Sequence, residues 1–546
     1  MMFAMDIVII GGVAAGMSAA ARLRRLDEQA NITVLERSGH ISFANCGLPY
    51  HVGGVIAQRQ ALLLQTPQAI GARFGIDVRV DSEAVAIDTA AREVTVRPTT
   101  GGEQYRLRYD ELVLAPGAVP VRPPLPGIER ALALRNIEDT DALVSALDGA
   151  RTAVVMGGGF IGLEVAENLL AKGLQVALVE ATAQVMAPLD EEMVAPVHAA
   201  LREAGVDLHL GTAVSAIGQR DVELADGTRL DADVVVAAIG VRPDSRLAEA
   251  AGLRTSERGA ILVDEHFRTS DPHVFAVGDA VAKRDALDAG QVQVPLANTA
   301  NLQGRRVADV LAGRAVADRP VLGTAIVGIL GLQVATVGWN EKRLRAAGRP
   351  HRVIHTHPVQ HAGYYPGAEQ MSLKLLVDPR TDEILGAQGV GRDGVDKRID
   401  VIATAMVGGI TASGLAELEL AYAPQFGSAK DPVNMLGFVA ENLHTGLSQS
   451  VQWHELDEAV AGGATVVDVR SVAEFEQGAI PGAVNIPVDE LRCRLDELPD
   501  GELVVHCAVG VRGHVAAQSL AGHGRAARNL DGGYRTWLAG QAARTS

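Results

Sequence analysis

One unit occurs twice in this chain and restricts its fold more than any other feature. It is an apolar strand, a glycine turn, a helix of small residues, a second apolar strand and an acidic residue at its end. In the first copy Ile7–Ile10 runs into Gly11-Gly12-Val13-Ala14-Ala15-Gly16, a helix follows over Met17–Leu26, and Ile32–Leu35 ends at Glu36. In the second, Thr152–Met156 meets Gly157-Gly158-Gly159-Phe160-Ile161-Gly162, a helix starts at Leu163, and Gln175–Val179 ends at Glu180. Glycine lets the backbone approach a pyrophosphate, the helix N-terminus favours its charge, and the carboxylate accepts from ribose hydroxyls. The second turn fits GxGxxG in full; the first has Val13 at the middle position. Two copies imply two dinucleotides. Glu180 suits a free 2′-hydroxyl and repels a 2′-phosphate, which predicts NADH in preference to NADPH at the second site.

The 546 residues suffice for three or four domains at roughly 150 residues each. Gly is abundant (59) and aromatics scarce (3%), the balance expected where turns and close backbone approaches dominate. A net charge of −17 argues against nucleic acid as a partner. Three cysteines cannot build a disulfide framework, which points to a reducing compartment. The N-terminus carries no cationic-then-apolar leader, and no run reaches the ~18 apolar residues of a membrane span. The expectation is a soluble, cytoplasmic protein with no membrane partner.

Further strands fit the same architecture. Glu111–Ala118 and Asp233–Gly240 are apolar runs ending in small residues, with Ala115, Gly117 and Gly240 at their turns, and Val274–Asp279 ends in Gly278-Asp279. Together with the paired glycine turns, this pattern resembles the two-dinucleotide flavoprotein disulfide reductases. The resemblance implies an α/β fold with FAD on Gly11, Gly12, Gly16, Glu36, Ala115, Gly117 and Asp279. It implies NAD(P)H on Gly157, Gly159, Gly162, Glu180 and Gly240. The expected domains are a discontinuous FAD-binding domain (1–119 and 241–324), an NADH-binding domain (120–240), an α+β dimerisation domain (325–445), a linker (446–452) and a C-terminal domain (453–546).

Cys46, in Ile41-Ser-Phe-Ala-Asn-Cys-Gly-Leu-Pro-Tyr50, has no second cysteine within ten residues, so a CxxxxC dithiol is excluded. One redox cysteine alternates between thiolate and mixed disulfide, persulfide or sulfenate. Ser18, Arg22 and Arg25 share one helix face, and two guanidiniums suit phosphates. The stretch resembles the CoA disulfide reductases; their NADH oxidase relatives carry a His in the first glycine turn, where this chain has Ala14. The resemblance implies coenzyme A contacts at Ser18, Arg22, Arg25, Ser42, Asn45, Asn301 and Lys430, although the residue type at Asn301 departs from the pattern. It implies a homodimer in which two tyrosines of the dimerisation domain, Tyr364 (with Tyr365 as rival) and Tyr422, serve the partner's site. His355, His357 and His361 raise a metal reading, set aside because no acidic or thiol partner is near in sequence and the strand reads as a surface one. No metal is expected.

The C-terminal segment contains Asp468-Val-Arg470, then Gly478-Ala-Ile-Pro-Gly-Ala and Asn485-Ile-Pro487, then a strand ending in Cys507-Ala-Val-Gly-Val-Arg512 and a helix. A cysteine between strand and helix sits among backbone N–H groups, and Arg512 adds positive charge. This resembles a rhodanese domain, with the six-residue loop of sulfurtransferases. The resemblances together imply an oxidoreductase that uses NADH to reduce CoA persulfide, polysulfide or CoA disulfide through Cys46, with Cys507 handling sulfane sulfur. The alternatives are an NADH oxidase and a flavin-bearing sulfur carrier or redox sensor of low turnover.

Overall fold

The apolar runs of both nucleotide motifs are continuous rather than alternating because both faces of their strands are covered. In the computed structural model, which describes residues 4–545, Asp6–Ile10 is the middle of an all-parallel sheet. Its order is Val274–Ala276, Glu111–Leu114, Asp6–Ile10, Asn31–Leu35, Asp77–Arg79. Helix Ala14–Leu26 buries Ala19, Ala20 and Leu23 against this sheet and helix Ala297–Leu311. The chain leaves and re-enters this domain on an antiparallel pair, Ala118–Pro120 with Val241–Pro243. Between them lies a second parallel sheet, ordered Asp207–Leu210, Gln175–Glu180, Thr152–Met156, Val234–Ala237.

Two compact units divide the chain. One holds the residues up to Ala181 with Gly205–Gly323; the other holds Thr182–Ala204 and everything from Thr324 onward. Helix Glu191–Glu203 therefore lies inside the range expected for the NADH domain yet belongs to the second unit. Its buried face, Met193, Val194, Val197 and Leu201, packs toward strand Ile384–Gly391 and helix Gly533–Thr545.

The second unit contains an antiparallel sheet ordered Ala325–Ile329, Leu332–Gly338, Ile384–Gly391, Ser372–Val377, Arg352–Thr356. Helix Val395–Gly408 packs on it, and Asp431 caps helix Pro432–His444 through a reciprocal box with Asn434. A parallel sheet follows, ordered Ser450–Val451, Ala527–Leu530, Leu503–His506, Thr465–Asp468, Val484–Asn485. The expected linker 446–452 includes Ser450–Val451, the edge strand of this sheet. Val451 is buried beside Leu530, and the Gln452 side chain donates to the Val353 carbonyl at 3.1 Å, so the C-terminal domain is docked on the antiparallel sheet. No described helix is long and apolar enough to cross a membrane.

Candidate functional site

The two glycine turns have the same internal bond. Gly12 N–H donates to Glu36 Oε2 at 2.8 Å, and Gly158 N–H donates to Glu180 Oε2 at 2.8 Å. Each acidic residue thus ties the end of its strand to the turn. A Cβ on Gly16 would lie 1.8 Å from the Gly11 carbonyl oxygen, and one on Gly162 1.9 Å from that of Gly157, so only glycine lets each helix start so close to its strand. The first turn opens into a cleft of about 800 Å³ lined by Gly11, Glu36, Asn45, Ala115, Gly117 and Asp279. Asp279 Oδ1 is buried in it without a hydrogen-bond partner, while Oδ2 is 3.6 Å from Arg135. A buried orphan acceptor at the end of a long cleft fits a ligand with hydroxyl donors, as the ribityl chain of FAD has.

Cys46 sits in the short turn Asn45–Gly47 before helix Leu48–Val52, its sulfur 4.0 Å from Asn45 Oδ1. It is exposed, yet enough protein surrounds it that burial pushes the thiol up; the Glu164 carboxylate adds to the rise and Arg135 opposes it. Sequence reasoning missed Glu164. It lies on helix Phe160–Ala171, accepts from Tyr50 OH at 3.2 Å, and is itself pushed up to about 7, chiefly by burial. Tyr50 is pushed to about 12 by burial and by Glu164. The available signal was its place two residues after Gly162, near the start of the helix that the second glycine turn opens.

The expected coenzyme A residues behave differently from one another. Ser18 Oγ donates to Asn301 Oδ1 at 2.6 Å, joining two of them. Ser42 has φ 44, a region side-chain-bearing residues seldom adopt, and its N–H donates to the Gly12 carbonyl at 2.9 Å. Arg22 Nη2 pairs with Asp309 at 2.8 Å, because helix Ala297–Leu311 packs directly on it, while its Nε is buried without a hydrogen-bond partner. Arg25 is exposed. Arg24, unremarked in sequence, donates to the Phe74 carbonyl at 2.7 Å.

In the second unit, Tyr364 and Tyr422 are exposed and their hydroxyls lie 2.9 Å apart. The Tyr422 bond holds the Tyr364 phenol above its ordinary value. Tyr365 instead packs edge-on against His361, with centroids 5.6 Å apart, so the phenol pair belongs to Tyr364. Lys430 is exposed, one residue before the cap Asp431.

The histidine segment overturns its sequence reading. It is buried, and acidic partners reach it from far along the chain: His355 Nδ1 lies 2.6 Å from Asp531 and Nε2 3.0 Å from Glu192. His357 bonds Ser372 at 2.9 Å and Thr536 at 2.7 Å. Beside them Asp190, Glu192 and Glu341 form a carboxylate cluster, and the Lys374 ammonium fills it at 2.9, 2.6 and 2.6 Å.

Cys507 follows strand Leu503–His506, is buried, and accepts from Gly510 N–H at 3.2 Å. Arg512, expected to contribute a positive charge, is held by Glu474 through two bonds of 2.8 and 2.6 Å. This bond raises Arg512, with the Cys507 sulfur contributing, and holds Glu474 down at about 2. Glu474 was legible as the fourth residue of the capping box opened by Ser471, but its partner was not. Cys493, at the end of the short turn Leu491–Cys493, is exposed.

Residues 5–304 match the model of the pyridine nucleotide-disulphide oxidoreductases, 324–432 that family's dimerisation domain, and 452–540 the rhodanese-like domain. Coenzyme A disulfide reductase of Staphylococcus haemolyticus is 34% identical over 440 residues, spanning 80% of this chain and 99% of that protein. Reduced CoADR-RHD of Bacillus anthracis superposes with a TM-score of 0.97 at 46% identity, covering 99% of both chains. The NAD-dependent persulfide reductase of A. fulgidus gives 0.91 at 38% identity, covering 98% of this chain and all of that one.

Proposed function

Since the chain belongs to the pyridine nucleotide-disulphide oxidoreductase family, in the form of a CoA disulfide reductase extended by a rhodanese domain, we propose that it is an NADH-dependent reductase of CoA-bound sulfur, acting as a homodimer. The observation that carries this reading is an accessible cysteine, Cys46, with no second cysteine near it in sequence, following a glycine turn whose cleft ends on the orphaned Asp279 oxygen. FAD, when bound, supplies the two-electron relay between nicotinamide and cysteine. Gly11, Gly12 and Gly16 would hold its pyrophosphate, Glu36 its ribose and Asp279 its ribityl-phosphate region, with Ala115 and Gly117 lining the cleft. Gly157, Gly159, Gly162 and Gly240 would admit the nicotinamide dinucleotide, and Glu180 favours NADH over NADPH by its charge.

With CoA persulfide, the Cys46 thiolate attacks the outer sulfur; the S–S bond of the substrate breaks and CoA thiolate leaves. Two electrons then split Cys46–S–SH into Cys46 thiolate and hydrosulfide. With CoA disulfide, the Cys46 thiolate attacks one sulfur, the substrate S–S bond breaks and one CoA thiolate leaves; two electrons then split the Cys46–CoA mixed disulfide into Cys46 thiolate and the second CoA thiolate. The Tyr364–Tyr422 pair, contributed by the partner subunit, supplies a phenolic proton to the departing thiolate. Ser18, Arg22, Arg25, Ser42, Asn45, Asn301 and Lys430 bind and orient coenzyme A. Cys507 carries sulfane sulfur, its sulfur accepting from Gly510 N–H with the Arg512 guanidinium beside it.

The test is anaerobic NADH consumption with CoA persulfide and with CoA disulfide, side by side. A higher kcat/KM for the persulfide with sulfide release identifies sulfur metabolism as the role; preference for the disulfide identifies CoA-thiol redox chemistry. NADH loss with neither, and only when oxygen is admitted, overturns the reading in favour of an oxidase.

A further inference from the structure

The His355–Xaa–His357 pair lies outside the reductase chemistry, yet both rings are buried and bonded at both nitrogens. His355 uses three donors on two carboxylates: its backbone N–H and Nδ1 on Asp531 Oδ2, at 3.0 and 2.6 Å, and Nε2 on Glu192 at 3.0 Å. Asp531 ends the C-terminal domain's strand Ala527–Leu530 and opens Asp531-Gly-Gly-Tyr-Arg-Thr536. That segment is the floor under the Cys507 loop. Tyr534 N–H donates to the Cys507 carbonyl at 2.8 Å, and Arg535 N–H to the Ala508 carbonyl at 3.0 Å. A Cβ on Gly533 would lie 2.5 Å from the Cys507 carbonyl oxygen, and one on Gly532 would lie 2.8 Å from the His355 Cβ. His357 grips the far end of the floor through Thr536 at 2.7 Å. The floor therefore has the sulfur loop on one side and two histidines of the dimerisation domain on the other, with no slack between them.

We propose that His355 and His357 are positioning residues for Cys507: the dimerisation domain supplies the buttress that sets the geometry of the sulfur-transfer loop. This rests on the reading of Cys507 as the sulfane-sulfur carrier. The two rings divide the work by charge. Burial pushes His355 down, but Asp531 and Glu192 outweigh it and hold the ring protonated, up to about 9. The groups facing it are Asp531 from the rhodanese domain, Glu192 from helix Glu191–Glu203, Lys374 bonded to that Glu192, and His357 on its own segment. His357 is pushed down to about 3 by burial and by the charge of His355, so it stays neutral and serves as a plain hydrogen-bond partner.

The experiment compares full-length wild type, His355→Gln, His357→Gln and Cys507→Ser, using thiosulfate and cyanide as sulfur donor and acceptor. Mass spectrometry after thiosulfate alone reads the persulfide on Cys507, and NADH–ferricyanide activity reads an intact reductase. The expected result for His355→Gln is a drop in sulfur-transfer kcat on the order of 10-fold, as misplacement of a reacting group produces. KM for thiosulfate and ferricyanide activity stay near wild type. Wild-type sulfur transfer falls above pH 9 as His355 loses its proton, and the variant lacks that fall. Should His355→Gln fail to fold, the same kcat-selective loss in His357→Gln carries the test. Normal sulfur transfer in both histidine variants, while wild-type Cys507 loads sulfur, overturns the proposal; a wild-type Cys507 that never loads overturns the underlying reading instead.

Discussion

Replacing Lys374 by methionine tests how the second unit is held together. The ammonium is fully buried and lies within 2.9 Å of Asp190, Glu192 and Glu341, which come from two distant stretches of chain. Methionine keeps nearly the volume of lysine but takes the shared ammonium from three buried carboxylates. Of these, Glu192 keeps His355, Glu341 keeps Arg345, and Asp190 keeps no cation at hydrogen-bond distance among the described residues. Removing one partner of a buried ion pair costs about 3–5 kcal/mol, because the remaining charge has lost both water and its partner. For a unit of this size that is a fall in Tm of roughly 6–20 °C. The three tryptophans, Trp339, Trp453 and Trp537, all lie in this unit, so urea unfolding followed by tryptophan fluorescence reports on it directly. The pH dependence supplies a second check. In wild type, Lys374 and His355 hold Glu192, and His351, Lys374 and Arg345 hold Glu341, well below the usual carboxylate range, against the upward push of burial. Their contribution is present above the ordinary carboxylate value of about 4.3 and is lost as pH falls below it. Without the ammonium, burial raises the same carboxylates, so the variant's deficit shrinks as pH drops from 8 to 5. A loss below about 1 kcal/mol, or a deficit that widens on acidification, refutes the reasoning.

Other outcomes are equally definite. Cys46→Ser abolishes reduction of CoA persulfide and CoA disulfide while NADH still bleaches the flavin absorbance in stopped flow; loss of both means Cys46 is misassigned. Glu164→Gln removes a carboxylate that raises Cys46, so alkylation of the reduced enzyme by iodoacetamide speeds up at pH 7–8 and its pH profile moves to lower pH; an unmoved profile separates Glu164 from the thiol. Glu180→Ala removes the charge that repels a 2′-phosphate, so the NADH-to-NADPH ratio of kcat/KM falls; a ratio equal to wild type removes Glu180 from cofactor choice. Cys507→Ser abolishes thiosulfate-to-cyanide sulfur transfer and leaves CoA disulfide reduction near wild type; a parallel loss of both activities ties the two cysteines into one obligatory route.

The sequence by itself determined the parts whose physics is local. A glycine turn, the strand before it and the carboxylate at the next strand's end lie within about thirty residues, and their spacing already encodes the Gly12–Glu36 and Gly158–Glu180 bonds. The same is true of Cys507 between its strand and helix, where the backbone donors of the loop are neighbours in the chain. Only the tertiary structure decided which distant charges meet. Asp531 reaches His355 across 176 positions, Glu192 reaches Lys374 across 182, and Arg22 is taken by Asp309 across 287. The histidine strand read as a surface one because its acidic partners are invisible to local spacing; the fold buries it by docking a second domain on it. Burial, in turn, gives those pairings their strength, since the low-dielectric interior that penalises a lone charge also rewards its partner. Periodicity and motif carry no record of that environment, which exists only after the domains have packed.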